Sequence, residues 1–225
     1  MKFATQDMEV DESVAGRIAR TLANRIISGA LPPGSRLRQD HIAAEFGASH
    51  VPVREAFRKL EAQGLAENKP RYGVRVSPID PNVVFEITEM RAALEGLALF
   101  HALPHLSEAD LAAADAALGE GEASGNIADW EAANRRFHVA ITAPCGMPRL
   151  MAAIADLHRS DARFLFATWS RLDWQPRSDD EHREILNAIR KGEGPRARAF
   201  LEAHIRDAGR ALTEALRAAP GAEQP

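Results

Sequence analysis

Cysteine occurs once in the 225 residues, at Cys145, so no intrachain disulfide and no four-thiolate zinc site can form. Positive charge is not in excess either. Lys and Arg number 28 against 32 Asp and Glu, a net of −4, which argues against a protein that coats nucleic acid by bulk charge. No stretch approaches the roughly 18–20 uncharged apolar residues of a membrane span. The opening MKFATQDMEV carries acids where a secretory signal needs an apolar run. Internal repeats and low-complexity tracts are also missing. The expectation is a soluble, cytoplasmic chain of a reducing compartment. At 45% hydrophobic and 27% charged residues, its length suits one large or two small domains.

The charge is unevenly placed. Residues 1–77 hold 12 Lys and Arg against 9 Asp and Glu, a net of +3, and the remainder carries −7. A basic front and an acidic back suggest two domains with different partners. The composition changes near Ser77-Pro78-Ile79-Asp80-Pro81, where two prolines interrupt any helix or central strand. The expected division is an N-terminal tail over 1–12, a first domain over 13–77, a linker over 78–82, a second domain over 83–217 and a C-terminal tail over 218–225.

In the first domain Val14, Ile18, Leu22 and Ile26 recur at helical spacing until Gly29 and Pro32-Pro33-Gly34. A short helix follows Leu37, with Ile42, Ala43 and Phe46 on one side, and Gly47 ends it. Ser49 suits an N-cap for a third helix running to about Gln63, with Val53, Ala56, Phe57 and Leu60 inward. Pro52 falls in its first turn, where a missing N–H costs little. Two short helices around a glycine turn make a helix-turn-helix. Leu65–Asn68 and Val74–Ser77 then flank Lys69-Pro70-Arg71-Tyr72-Gly73, with period-two alternation in Val74-Arg75-Val76. A basic-tipped hairpin directly after a helix-turn-helix is the wing of a winged helix.

These residues suit DNA. Ser49, His50 and Arg54 lie at the start of the third helix, with Arg58 and Lys59 further along. Helix N–H groups and short polar side chains hold phosphates, and an arginine can contact guanine bidentately in the major groove. Arg38 precedes the second helix, and Arg71 and Arg75 of the wing are placed for a phosphate or the minor groove. Arginines on a helix often form only a solvated face; here the periodicity, the glycine turn and the basic hairpin all agree on DNA.

Ile27-Ser28-Gly29-Ala30-Leu31-Pro32-Pro33-Gly34, Pro52-Val53-Arg54-Glu55-Ala56, Leu60-Glu61-Ala62-Gln63-Gly64-Leu65 and Gly73-Val74-Arg75-Val76 together resemble the winged-helix domain of the GntR family of bacterial transcription regulators. The resemblance adds Gly73 to the DNA-facing set. His50-Val51 stands where Arg-Thr is frequent in that family, which implies a change in the bases read.

After Pro81 apolar spacings of three and four mark helices near 82–101, 107–119, 127–142, 147–169, 178–191 and 195–217. Pro104, Gly121/Gly125, Pro144/Gly146, Pro176 and Gly192/Gly194 separate them. The expected fold is mostly α: an N-terminal winged helix-turn-helix with a small β wing, then an all-α antiparallel bundle.

Polar residues interrupt the apolar stripes of this bundle. Asn134 and His138 share a face with Trp130 and Ile141. His182 keeps i, i+3, i+4, i+7 spacing with Ile185, Leu186 and Ile189, His204 sits among Leu201, Ile205 and Ala208, and Arg91 lies with Ile87, Leu94 and Ala98. A single inward histidine is ordinarily a hydrogen-bonded core residue, whereas three on separate helices each need a polar partner. One divalent metal would satisfy all three, with Asn134 as a weak oxygen ligand. Periodicity alone leaves both readings open, because it does not show that the faces meet. His41, His101, His105 and His158 are expected at the surface or at helix ends. Trp169 and Trp174 should flank a packed loop over 169–176, and Cys145 should be a loop thiol.

Arg91-Ala92-Ala93-Leu94-Glu95, Asn134-Arg135-Arg136-Phe137-His138, Glu181-His182-Arg183-Glu184-Ile185-Leu186 and Ala203-His204 resemble the FCD ligand-binding domain of the FadR-type subfamily. The resemblance implies a divalent metal held by Asn134, His138, His182 and His204. Zinc comes first, with nickel, manganese or iron as alternatives, and Asp is common where this chain has Asn134. It further implies an effector carboxylate at Arg91. The leading expectation is therefore a homodimeric repressor of double-stranded operator DNA, with no membrane partner, released by a small carboxylate metabolite. One alternative is a metal-free regulator of a larger acyl ligand. Another is a three-histidine hydrolase or hydratase, disfavoured because His182 lies in EHREIL rather than HExxH; the chain is read as no enzyme.

Overall fold

Apolar side chains at turn spacing give the first helix, α1 (Val14–Ile27), which buries Ile18, Leu22 and Ile26. The computed structural model describes residues 13–168 and 175–218. The tail over 1–12, Trp169 and Trp174 with the loop between them, and residues 219–225 lie outside the described residues. α2 (Gln39–Glu45) and α3 (His50–Ala62) follow, joined through Gly47 at φ +57°. That left-handed turn suits glycine and lets α2 pack directly on α3, which buries Val53, Phe57 and Leu60. Ser49 occupies the N-cap position with extended backbone, but its hydroxyl makes no cap hydrogen bond, contrary to the sequence expectation. β1 (Ala66–Lys69) and β2 (Gly73–Val76) pair antiparallel, Ala66 opposite Val76 and Lys69 opposite Gly73. The wing thus has the expected form, shifted by one residue.

The chain divides into two compact units with a boundary between Pro78 and Ile79. The second begins almost at once with α4 (Pro81–Ala102), capped by Asp80, whose side chain accepts the Asn82 N–H at 2.8 Å. Pro81 sits at the first helical position, where its fixed φ helps rather than hinders. α5 (Glu108–Glu122), α6 (Ile127–Thr142), α7 (Pro148–Thr168), α8 (Gln175–Arg190) and α9 (Gly194–Arg217) complete the described helices. Two breaker assignments need correction. α5 runs through Gly121, where the missing Cβ brings the helix close to Ala133 and Trp130 of α6. Pro176 lies in the first turn of α8, where no intrahelical N–H bond is lost.

α4 is the central element, packed against α9 and α7, while α5 lies on α6 and α8 on α9. The α4–α9 crossing is close: a Cβ on Gly209 would overlap the Thr88 side chain, and one on Gly96 would overlap Glu202. One core joins Leu99, Phe137, Ile141, Ile185, Leu186, Leu201 and Ile205. A second gathers Val84, Trp130, Phe164, Leu165 and Leu212. The polar residues on the apolar stripes lie deep in this bundle. Cys145 lies in the connection between α6 and α7, as expected, yet it is buried with Ala98, Ala102 and Ile154, and its Sγ accepts the Met147 N–H.

Candidate functional sites

In the first unit part of the predicted cationic set lines one cleft beside α3 and the wing. Arg36, Arg38, Arg54 and Arg58 line a hollow of about 570 Å³, with Gly73 and Asn68 of the wing on its wall. Ser49 and His50 are exposed at the start of α3, and Arg71 is exposed at the wing tip with φ +70°. Arg75 differs from its neighbours. It is half-buried, and its guanidinium donates to the Gly34 carbonyl at 2.8 Å, stitching β2 to the preceding loop. Arg36, which the sequence reading passed over, faces Arg75 across an isolated β-bridge and so reaches the cleft.

In the second unit the three predicted histidines come together. His138 on α6, His182 on α8 and His204 on α9 are all buried, with their ligand nitrogens within 4.8 Å of one another. The Nε2 atoms of His182 and His204 are 3.1 Å apart. Two nitrogens bound to one zinc at about 2.0–2.1 Å sit roughly 3.0–3.4 Å from each other, so the spacing already suits a shared cation. Phe137 packs its ring against His182 at a centroid distance of 4.1 Å, holding it in place. Asn134 is half-buried, and its Oδ1 and the Nε2 of His138 are both buried without a hydrogen-bond partner. Orphaned acceptors beside a histidine pair are costly unless something fills the gap. A cavity of about 20 Å³ lined by Asn134, His138, His204, Arg91 and Asp161 has room for about one water-sized particle. The residues fit a divalent metal, with three imidazoles and an amide oxygen as donors.

Electrostatics favour the neutral imidazoles that a metal needs. Burial pushes His138 down to about 4, outweighing the pull of the neighbouring Glu95 carboxylate. Burial, then His204, holds His182 well below the usual histidine range.

A second group of residues surrounds the first, joined by contacts that helical spacing does not announce. Glu95 is wholly buried. Its Oε2 lies 2.7 Å from His138 Nδ1, and its Oε1 lies 3.0 Å from Arg91 Nε and 3.1 Å from His158 Nε2. Burial alone would raise the Glu95 carboxyl; the adjoining histidine and the Arg91 guanidinium together hold it well below the usual range. Arg91 also donates from Nη1 to Asp161, so the predicted effector cation already has two carboxylate partners. His158 is corrected from surface to core: it is buried on α7, and with Glu95 and His138 it forms a second metal-capable triad. His41, His101 and His105 are exposed, as expected. The apolar stripe Ile154, Ala162, Leu165 runs through His158 at spacings of four and three and would have placed it inside. Glu181, next to His182, has its Oε2 2.8 Å from His204 Nδ1.

Comparison with known proteins supports both units. Residues 14–76 match the model for bacterial regulatory proteins of the gntR family, and residues 86–207 match the FCD domain. A probable D-xylose utilization operon transcriptional repressor from Paenarthrobacter nicotinovorans is 29% identical, covering 90% of each chain. The galactonate operon transcriptional repressor of Escherichia coli K12 is also 29% identical, covering 88% of this chain and 96% of its own. The solved structure of E. coli McbR/YncC superposes with a TM-score of 0.77 at 24% identity, covering 90% of this chain and 98% of that one, which shows a shared fold.

Proposed function

The chain belongs to the GntR family of bacterial regulatory proteins and carries an FCD domain; it is a DNA-binding transcriptional regulator rather than an enzyme, and from that premise we propose that it is a cytoplasmic repressor whose grip on operator DNA is set by a small organic acid at a metal site among Asn134, His138, His182 and His204. The observation that carries this reading is the convergence of three buried histidines on a gap where Asn134 Oδ1 and His138 Nε2 have no partner. A bound metal supplies a Lewis-acidic centre to which a carboxylate can add. Arg91 supplies the nearest fixed cation in the wall and orients the acid by a charge-assisted hydrogen bond. In this packing the cavity admits no more than an ion or a water, so entry of an acid parts Asp161 from Arg91. The name of the galactonate relative points to the same chemical class, since galactonate is a sugar acid. Among the described residues no helix is long and apolar enough to cross a membrane.

At the DNA the arginines divide their tasks. Arg54, one turn into α3, is placed for a base edge, with Arg36, Arg38 and Arg58 around it for phosphates. Ser49, His50, Arg71 and Gly73 extend the surface, while Arg75 shapes the wing through Gly34.

The reading includes a homodimer, because a two-fold protein matches a pseudo-palindromic operator. Its supporting feature is α4. Val83, Glu86, Met90, Ala93, Leu97 and Phe100 are all exposed and alternate in steps of three and four, the spacing of a helix-pairing seam. Five of the ten large apolar side chains exposed among the described residues belong to this one helix. In an antiparallel pair Met90 meets the Ala93 of the second copy. The paired substitution Met90→Glu with Leu97→Glu should convert a dimer to a monomer in analytical ultracentrifugation. A wild type that sediments as a monomer at micromolar concentration would remove this part.

The function is tested on one set of purified, untagged proteins. Wild type should retain about one equivalent of divalent metal by elemental analysis, and His182→Ala should retain almost none. Both should bind operator DNA equally in the absence of acid, whereas Arg54→Ala should lose about 1–3 kcal/mol of operator binding. Citrate added as a probe acid should weaken operator binding by wild type and leave His182→Ala unaffected. Equal metal content in the two proteins would sink the metal assignment.

A further inference from the structure

We propose that Glu95 and Glu181 are positioning residues of the histidine centre, each accepting a hydrogen bond from the Nδ1–H of one imidazole so that His138 and His204 are held with Nε2 turned inward. This rests on the metal reading above, but it makes a claim about the protein's own protons that can be tested without metal.

The geometry has the same form on both sides of the centre. Glu95, on α4, reaches His138 of α6 across 2.7 Å; Glu181, on α8, reaches His204 of α9 across 2.8 Å. In both pairs the contact is to Nδ1. A neutral imidazole carries one proton, and a carboxylate can only accept, so the proton resides on Nδ1 and leaves Nε2 with its lone pair. Those Nε2 atoms are the ones that face the centre: that of His204 lies 3.1 Å from His182 Nε2, and that of His138 is buried and unpartnered. Ligating histidines ordinarily give their second N–H to a carboxylate or carbonyl, which fixes the ring and raises its basicity.

The carboxylates also answer a charge question raised by the donor set. An asparagine and three neutral histidines bring no negative charge, and a buried divalent cation without counter-charge is costly. Glu95 and Glu181 place anionic oxygens one imidazole away from the cation. Glu95 is partly balanced by Arg91 at 3.0 Å. α8 thus contributes a ligand and, from the preceding residue, the support for a ligand on the next helix.

Glu181 is the better residue to change, because its side chain is 22% exposed whereas that of Glu95 is fully buried. In Glu181→Ala, prepared as full-length protein, zinc affinity measured against a chromophoric chelator should fall about 10–100-fold. The thermal melt of the metal-free protein should stay within error of wild type. Long-range ¹H–¹⁵N spectra of metal-free wild type should show His204 as the Nδ1–H tautomer, and Glu181→Ala should lose that preference. Glu181→Gln, which keeps an acceptor but no charge, should fall between wild type and Ala in zinc affinity. For Glu95 the suitable variant is Glu95→Gln, with the tautomer of His138 as readout. A wild-type His204 protonated on Nε2, or zinc affinity unchanged in Glu181→Ala, would overturn the proposal. Failure of wild type to bind zinc while the tautomers hold would count against the metal reading and leave the carboxylate support standing.

Discussion

Replacing Arg91 by methionine should cost about 3–5 kcal/mol of stability, read from denaturant unfolding of the metal-free protein. Arg91 and Glu95 have side chains 7% and 0% exposed, so removing the cation strands a carboxylate where water cannot reach it. That residual charge, more than the lost attraction, sets the size of the effect. Asp161, the other partner, is more accessible and can turn toward solvent. The double substitution Arg91→Met with Glu95→Gln removes both charges while keeping similar volumes and an acceptor near His138, and it should recover most of the loss. If the double variant were as unstable as the single, the stranded charge would not be the cause, and packing of the arginine stem would have to explain the result.

Trp130→Ala should rank beside it, at about 3–5 kcal/mol. Trp130 is 1% exposed and packs with Val84, Phe164, Leu165 and Leu212. Its loss empties space next to a cavity of about 20 Å³, so the two voids merge and the wall of the histidine centre loses its backing. The indole also donates to Asp179, whose carboxyl is already pushed up, first by burial and then by Glu122, with Trp130 opposing. Trp130→Phe keeps much of the volume and loses only the donor, so it should cost about 1–3 kcal/mol. A melting temperature lower by roughly 6–20 °C for the alanine variant is the expected reading. A near-equal loss in Trp130→Phe and Trp130→Ala would assign the effect to the hydrogen bond and not to packing.

Much of this was legible from the chain alone, for a physical reason. A helix repeats every 3.6 residues, so a histidine on the apolar stripe of α6, α8 or α9 announces itself, and His138, His182 and His204 are buried where their spacing put them. The same periodicity placed Arg91 inside and ran within three residues of the observed end at either end of the helices. Glu95 stands four residues after Arg91 in the same motif, yet its role is not legible there, because a lone carboxylate on a stripe has no meaning until its partner is known. That partner, His138, lies 43 residues away in sequence. Which stripes meet is a property of packing, and packing is not written in the period. α4 hid its outer face for the opposite reason. With apolar residues nearly all round, no single side stands out, and the seam from Val83 to Phe100 emerges only after Val84, Ala92 and Leu99 are seen to be buried.

α4 therefore has two working faces on one rod. Arg91 and Glu95 look into the histidine centre, and Met90 and Ala93, within two residues of Arg91 in the chain, are exposed along the seam. A helix turns about 100° per residue, so a displacement of the backbone on the inner face cannot be absorbed before it reaches the outer one. In a dimer joined along this rod, whatever alters the hold on Arg91 in one subunit is delivered to the other as a change of helix register or crossing angle. If each histidine centre holds the ligand proposed for it, cooperativity between the two is then the natural outcome, and by thermodynamic reciprocity tighter pairing of the subunits would in turn change how strongly each centre binds.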